Sequence, residues 1–519
     1  MSKRVVAGLV AGIAVVAAVG FVAYRMAFAP SEDAAARLVP DDAVFYATAF
    51  LDPSNGQKRA LEDLIARFPR LETPERTRGL VERFVDEQLR AAGVDATYED
   101  DVSPALGDQV ALYVAADSGA DLRVAALVDV EDRDALDRLV AELREAGGDP
   151  DVERRSYRGV DYELAADDDF AAGYVEDFYV LATEDAFEDV VDVSEGAPSL
   201  ADTERYDVAD ELEDDRLGTL WVDLDAVLDI PGVADDAFED AAPDERALID
   251  RLRERFVGAF AFGAFVRSDG AVLEVATDRE LGSGLAGGLG DLLEDAWVAV
   301  AVNDVGTALR DLLSLGARLE NASPVEVEDV FAQVEAQTGL DLEQTLGRIG
   351  DARAFVAGGI AFGGPDVGVV LDARDAADVV ADVRSAAERA GAPVQDVALA
   401  GHDDGFTIAA GVSPVHVVAD GDRVVAALGD DAALALLEPD ETLDDAETFR
   451  AARDLLGVEP SLFVDLATPV AFVQTFAGAG ADDAEPWLEP LGHVSFGVDR
   501  RDGATVARLA VGVTEEDEE

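Results

Sequence analysis

Leu220-Trp221-Val222-Asp223-Leu224 returns later in the chain as Leu462-Phe463-Val464-Asp465-Leu466. In each case a short run rich in branched and aromatic side chains ends on an acid, the pattern of a strand feeding a helix. Working outward, other segments repeat in the same order. Leu106-Gly107-Asp108 before the apolar run 110–116 matches Ile349-Gly350-Asp351 before 354–357. Ala125-Ala126-Leu127-Val128-Asp129 leads into the amphipathic stretch 133–145, and Gly368-Val369-Val370-Leu371-Asp372 leads into 375–389. Each series closes on paired apolar runs, 260–266 with 271–276 and 493–498 with 505–511. The intervening Arg267-Ser268-Asp269-Gly270 and Arg500-Arg501-Asp502-Gly503 supply Asp-Gly hairpin turns.

Short strands joined by tight turns, with helices between, predict an α+β fold built from antiparallel sheets. The expected organisation is an N-terminal single transmembrane helix followed by two tandem, divergent copies of an antiparallel-sheet-plus-helices domain. Residues 1–29 form the cytoplasmic tip and anchor, 30–280 the first copy and 281–292 a Gly-rich linker. Residues 293–513 form the second copy, and 514–519 an acidic disordered tail.

The anchor rests on residues 5–24, which carry no charge and follow Lys3 and Arg4. Twenty residues in a helix rise about 30 Å, the thickness of a bilayer's hydrocarbon. Basic residues stay on the cytoplasmic side, so the body is expected outside the cytoplasmic membrane. A cleaved signal peptide competes, because Ala27-Phe28-Ala29 has the small-x-small form of a cleavage site. The length of the run and Pro30 just after the cut favour a retained anchor.

The chain of 519 residues holds 111 acidic and 40 basic side chains, for a formal net charge of −71. That field repels nucleic acid and anionic surfaces and attracts cations and basic polymers. Excess acid with few lysines is also what solubility at high salt requires. Cysteine is absent, which excludes disulfides, thiolate nucleophiles and thiolate metal sites. At 49% hydrophobic residues the chain can fill cores.

Leu38-Val39-Pro40-Asp41-Asp42-Ala43-Val44-Phe45-Tyr46, followed by Gln57-Lys58-Arg59-Ala60-Leu61 and Phe68-Pro69, resembles an uncharacterised family. That family consists of membrane-anchored proteins of high-GC actinobacteria grouped as a domain of unknown function. The resemblance implies an actinobacterial envelope protein and transfers no catalytic residue.

No catalytic, cofactor-binding or metal-binding residue is assigned from the sequence. Asp129, Asp372, Asp223 and Asp465 stand at strand ends before helices, where Asp caps exposed amides. Acidic clusters at 167–169, 214–215, 235–236 and 482–483 lack the spacing of a calcium loop. They are read as solvated loop charge with weak, non-specific cation binding. His402, beside Asp403 and Asp404, is the most site-like histidine; His416 lies in an apolar run and His493 begins the last hairpin. None has zinc spacing, and no GxSxG elbow occurs. Gly282, Gly284, Gly287, Gly288 and Gly290 lack the terminal Gly-Lys of a phosphate loop.

The expected function is therefore non-enzymatic: binding, scaffolding or envelope assembly. The lipid bilayer is one partner and an envelope protein or ligand the other, with no cofactor. The alternative is a carboxylate-dependent envelope hydrolase, assisted by a divalent cation.

Overall fold

The computed structural model describes residues 33–514 except 52–54, 69–82, 84, 117–121, 148–151, 166–169, 231–256, 280–286, 308–330, 333–334, 337, 360–363, 398, 400, 411–412, 477–484 and 502. Its contacts divide the chain into two compact units, Met1–Glu280 with Arg500–Val506 and Leu281–Asp499 with Ala507–Glu519.

In the first unit the strands are β1 (Ala43–Phe50), β2 (Leu106–Ala116), β3 (Leu122–Val130), β4 (Val152–Tyr157) and β5 (Val160–Ala165). They continue with β6 (Phe170–Val175), β7 (Phe178–Thr183), β8 (Gly218–Asp223), β9 (Ala259–Arg267) and β10 (Gly270–Thr277). Pairing gives the spatial order β4-β5-β6-β7-β3-β2-β1-β8-β9-β10, antiparallel throughout. Helices of this unit include α1 (Asn55–Ala66), α2 (Arg133–Gly147), α3 (Glu184–Ser194) and α4 (Leu224–Asp229).

The second unit holds β11 (Ala296–Val302), β12 (Ile349–Ala357), β13 (Asp366–Ala373), β14 (Val394–Asp396) and β15 (Gly405–Ala410). After them come β16 (Ser413–Asp420), β17 (Arg423–Leu428), β18 (Pro460–Asp465), β19 (Leu491–Arg501) and β20 (Ala504–Val513). The order is β14-β15-β16-β17-β13-β12-β11-β18-β19, again antiparallel, with β20 returning beside β19. Helices α5 (Ala376–Arg389), α6 (Asp430–Leu437), α7 (Glu447–Leu456) and α8 (Ala467–Phe476) accompany these strands.

The expected fold class needs correction. Where an N-terminal single transmembrane helix and two tandem copies of an antiparallel-sheet-plus-helices domain are expected, the described strands form one antiparallel sheet of twenty. The repeated motifs disclosed hairpins. They did not disclose what an edge strand pairs with, and an edge's unpaired N–H and C=O groups accept any suitable strand. Among the described residues no helix is long and apolar enough to cross a membrane. The run 5–24, on which the anchor helix rested, lies outside the described residues, as does the tail 515–519.

The first core lies on one face of its strands. Tyr46, Tyr113, Leu127 and Trp221 alternate inward and meet Phe187, Val190 and Val191 of α3. The spacing of these α3 residues sets one helix face against the sheet. The second core gathers Phe355, Phe449 and Phe463 with Leu289, Ala433 and Leu436. Fully burying each such large side chain contributes about 1.5–3 kcal/mol.

Candidate functional site: an open apolar sheet face

Residues directly opposite in an antiparallel ladder point to the same side of the sheet. On the side away from Trp221 one row runs Ala126, Leu112, Ala47, Leu220, Phe262 and Val275, across β3-β2-β1-β8-β9-β10. The next row is Val124, Val114, Phe45, Val222, Phe260 and Thr277. A third contains Val110, Ala49 and Gly218 and ends on Ala264 and Leu273. Thr277 carries the one polar side chain in these rows, and it and Val110 are buried. Leu220 is 39% exposed and Leu273 46%; Leu181, beside Ala126, is 40% exposed. The second unit has a comparable row of Val369, Ala354, Val300, Leu462 and Phe496.

At its β7 side the face of the first unit is covered. The Tyr174 hydroxyl donates to Asp137 of α2 at 2.7 Å, and the Arg133 guanidinium lies 4.8 Å from the Tyr174 ring centre. At one end of β9, Leu61 and Leu64 of α1 pack against Leu217 and Val266. Between these supports lies a depression of about 310 Å³ whose lining includes Ala47, Ala49, Leu220, Phe262, Ala264 and Leu273. Apart from Thr48 and Thr219, its lining is apolar. Nothing in the rows transfers a proton.

The buried face is built differently, because the polar groups that reach into it are matched with partners. Asp33 Oδ1 accepts from the Tyr46 hydroxyl at 2.5 Å and the Gln109 amide at 2.7 Å, while Oδ2 accepts from the Tyr206 hydroxyl at 2.7 Å. The Gln109 carbonyl accepts from the backbone N–H groups of Ala34 and Ala35 at 3.1 and 3.2 Å. Burial, then the Asp33 charge, pushes the Tyr46 and Tyr206 hydroxyls well above the ordinary tyrosine range. These contacts fasten the entering chain to the sheet.

The four strand-end acids divide. Asp223 caps α4, accepting from Ala226 N–H at 3.1 Å, and also pairs with Arg205. Asp465 accepts from Ala467 N–H at 2.8 Å at the start of α8. Asp129 does not cap α2; Asp132 does, through Ala135 N–H. Asp129 instead accepts from Asp108 N–H at 2.8 Å, and a Cβ at Gly107 would stand 2.5 Å from its carboxylate. Burial raises the Asp129 carboxyl above its usual range. Asp372 accepts from Arg353 at 2.6 Å.

The histidines occupy separate settings. His416 is buried, with Nδ1 2.9 Å from Thr407 Oγ1 and Nε2 2.7 Å from Asp430 Oδ1. His402 Nε2 lies 3.5 Å from Glu438, and the buried His493 ring sits 6.4 Å from the Phe463 ring. Asp214 and Asp215 are exposed in a turn, whereas 167–169, 235–236, 482–483, Gly282 and Gly284 lie outside the described residues. Gly288 adopts a left-handed conformation (φ 92°) ahead of a 3-10 turn at Leu289–Asp291, and Leu289 and Leu292 are buried in the second core. Among the described residues no group of His, Asp or Glu is arranged to hold a metal.

The sequence reading missed the open face. Its signal was present: β1 and β9 are apolar at nearly every position, which reads equally as a strand buried on both sides.

A family model described as "Protein of unknown function (DUF3352)" matches residues 4–466. No curated protein matches the chain. Among solved structures, crystal forms I and III of TP0453 are 11% and 8% identical. They cover 49% of this chain, and 81% and 83% of theirs, with TM-scores of 0.23 and 0.24. Scores so low carry no argument about this fold.

Proposed function

Because the chain belongs to that family of unknown function, we propose a reading from the site itself: a non-enzymatic binding module of the cell envelope that contacts its partner through the open apolar face. The observation that carries the reading is the set of apolar rows on one side of the sheet, with three leucines in or beside them 39–46% exposed. Contiguous apolar patches above a few hundred Å² on a soluble surface mark interaction sites. For location, Lys3 and Arg4 ahead of the uncharged run 5–24, with the acidic body behind it, favour placing that body on the outer side of the cytoplasmic membrane.

The contact is tested by placing a photo-crosslinking residue at Leu220 in cells. A discrete adduct is expected that diminishes when Leu273→Gln is added, and none is expected from position 219 on the opposite face. Equal adducts from both positions overturn the reading. Location has its own test, because the chain lacks cysteine. Glu204→Cys, at an exposed position, should react with a membrane-impermeant maleimide in intact cells. Labelling only after lysis contradicts the outer placement.

A further inference from the structure

The proposed reading leaves the partner's chemistry open, and charge and dimensions narrow it. Resting on that reading, we infer that the open face of the first unit receives a cationic amphipathic helical segment of another protein. The six strands β3-β2-β1-β8-β9-β10 cover about 29 Å at ~4.8 Å per strand, and three rows along them cover about 20 Å. The footprint is roughly 600 Å², below the ~800 Å² per partner of a standard globular interface. A helix of about 13 residues is ~20 Å long and roughly 10 Å wide, so one or two laid along the strands fill it. The face itself presents side chains, not a free strand edge, so it favours helix-in-groove binding over strand addition.

Charge selects among apolar occupants. The chain carries −71 overall, and exposed Asp41, Asp108 and Asp278, the last 3.6 Å from Arg279, stand at or near strand ends around the face. A second copy meets like charge, as does an anionic lipid surface. Insertion into any bilayer drags those carboxylates toward the hydrocarbon, which strips them of water. A helix with leucines on one side and arginines on its flanks satisfies both the rows and the rim. Its approach is accelerated by the same field.

The test uses the full chain in zwitterionic nanodiscs, with empty nanodiscs subtracted, and two fluorescent 14-residue probes. One pairs a leucine face with arginine; the other replaces every arginine by glutamine. At about 0.1 M salt the arginine probe should bind roughly tenfold more tightly, and at about 1 M that advantage should vanish as screening shortens to ~3 Å. Leu220→Gln with Leu273→Gln should weaken both probes about tenfold. Equal binding of the probes, still lost in the double variant, overturns the cationic inference and leaves the apolar-face reading standing. Binding unchanged in the double variant overturns both, since the arginine probe is then held by diffuse charge alone. Tight binding of the unsubstituted chain to anionic vesicles, or its self-association at about 0.1 M salt, likewise overturns the inference.

Discussion

Leu220 and Trp221 are neighbours in β8, yet they live in different chemistries. Trp221 is fully buried, and its indole N–H donates to Arg205 C=O at 3.0 Å; Leu220 is 39% exposed on a side made almost wholly of hydrocarbon. The same division holds in β1, where Tyr46 reaches Asp33 and Phe45 stands beside apolar neighbours. A covered face can hold polar tips because the packing around it also supplies their partners. The side bearing Leu220 and Phe45 instead presents groups that make no directional demand. The sheet thus combines a finished side with an unfinished one.

The largest test of that contrast is stability. Trp221→Ala should cost about 3–5 kcal/mol through the cavity it leaves, read as a lower denaturant midpoint. Leu220→Ala should stay within about 1 kcal/mol, because its side chain is partly in water already. Equal losses would erase the distinction between the faces.

A middle-sized effect concerns the polar clamp. Gln109→Ala removes partners from Asp33 and from two backbone amides, so a loss of about 1–3 kcal/mol is expected. Tyr46→Phe, which deletes one donor and leaves the ring, should cost less, about 1 kcal/mol. If the glutamine variant unfolds no earlier than the phenylalanine variant, the clamp does not act as a unit.

Alkaline pH separates the faces by another route. Burial holds Tyr46, Tyr113 and Tyr206 above the ordinary value of 10.0. A raised folded pKa means the unfolded chain gives up these protons first. Stability is therefore unaffected below about pH 10 and falls as pH rises from there toward the folded values. Tyrosinate absorbance from these residues should appear together with unfolding. Smooth ionisation of the intact fold, with no accompanying change in circular dichroism, would count against the buried hydroxyl network.

The smallest effect should come from Leu273→Gln with Leu181→Gln. Each lies at an exposed position, so stability should shift by no more than about 0.5 kcal/mol each. Solubility at high salt should improve as the apolar patch shrinks.

Part of this was legible from residue order alone. The Asp-Gly turn at 269–270 places the β9–β10 hairpin, and the amphipathic spacing after Asp132 places α2 within two residues of its end at Gly147. Asp223 as a cap was equally local. Asp129 was not, because its partner is an amide across the sheet beside Gly107, and no spacing along the chain encodes that meeting. His416 shows the same limit. Its partners Thr407 and Asp430 come from strand register and from the first turn of α6. The twenty-strand sheet escaped because repeats announce hairpins and leave edges unspecified. The open face escaped because strands apolar on both sides read as buried on both sides.

The most direct trial exploits the absence of native cysteine. Leu220→Cys, Thr219→Cys and the exposed control Glu204→Cys are each made in the full chain and timed in their reaction with a maleimide. If the face is open, the thiol at position 220 reacts at nearly the rate of the one at 204 and slows when the arginine probe is bound. The thiol at 219 then stays unreactive until unfolding. A thiol at 220 as inert as the one at 219 in the isolated protein would mean the face is already covered, and the account would fail.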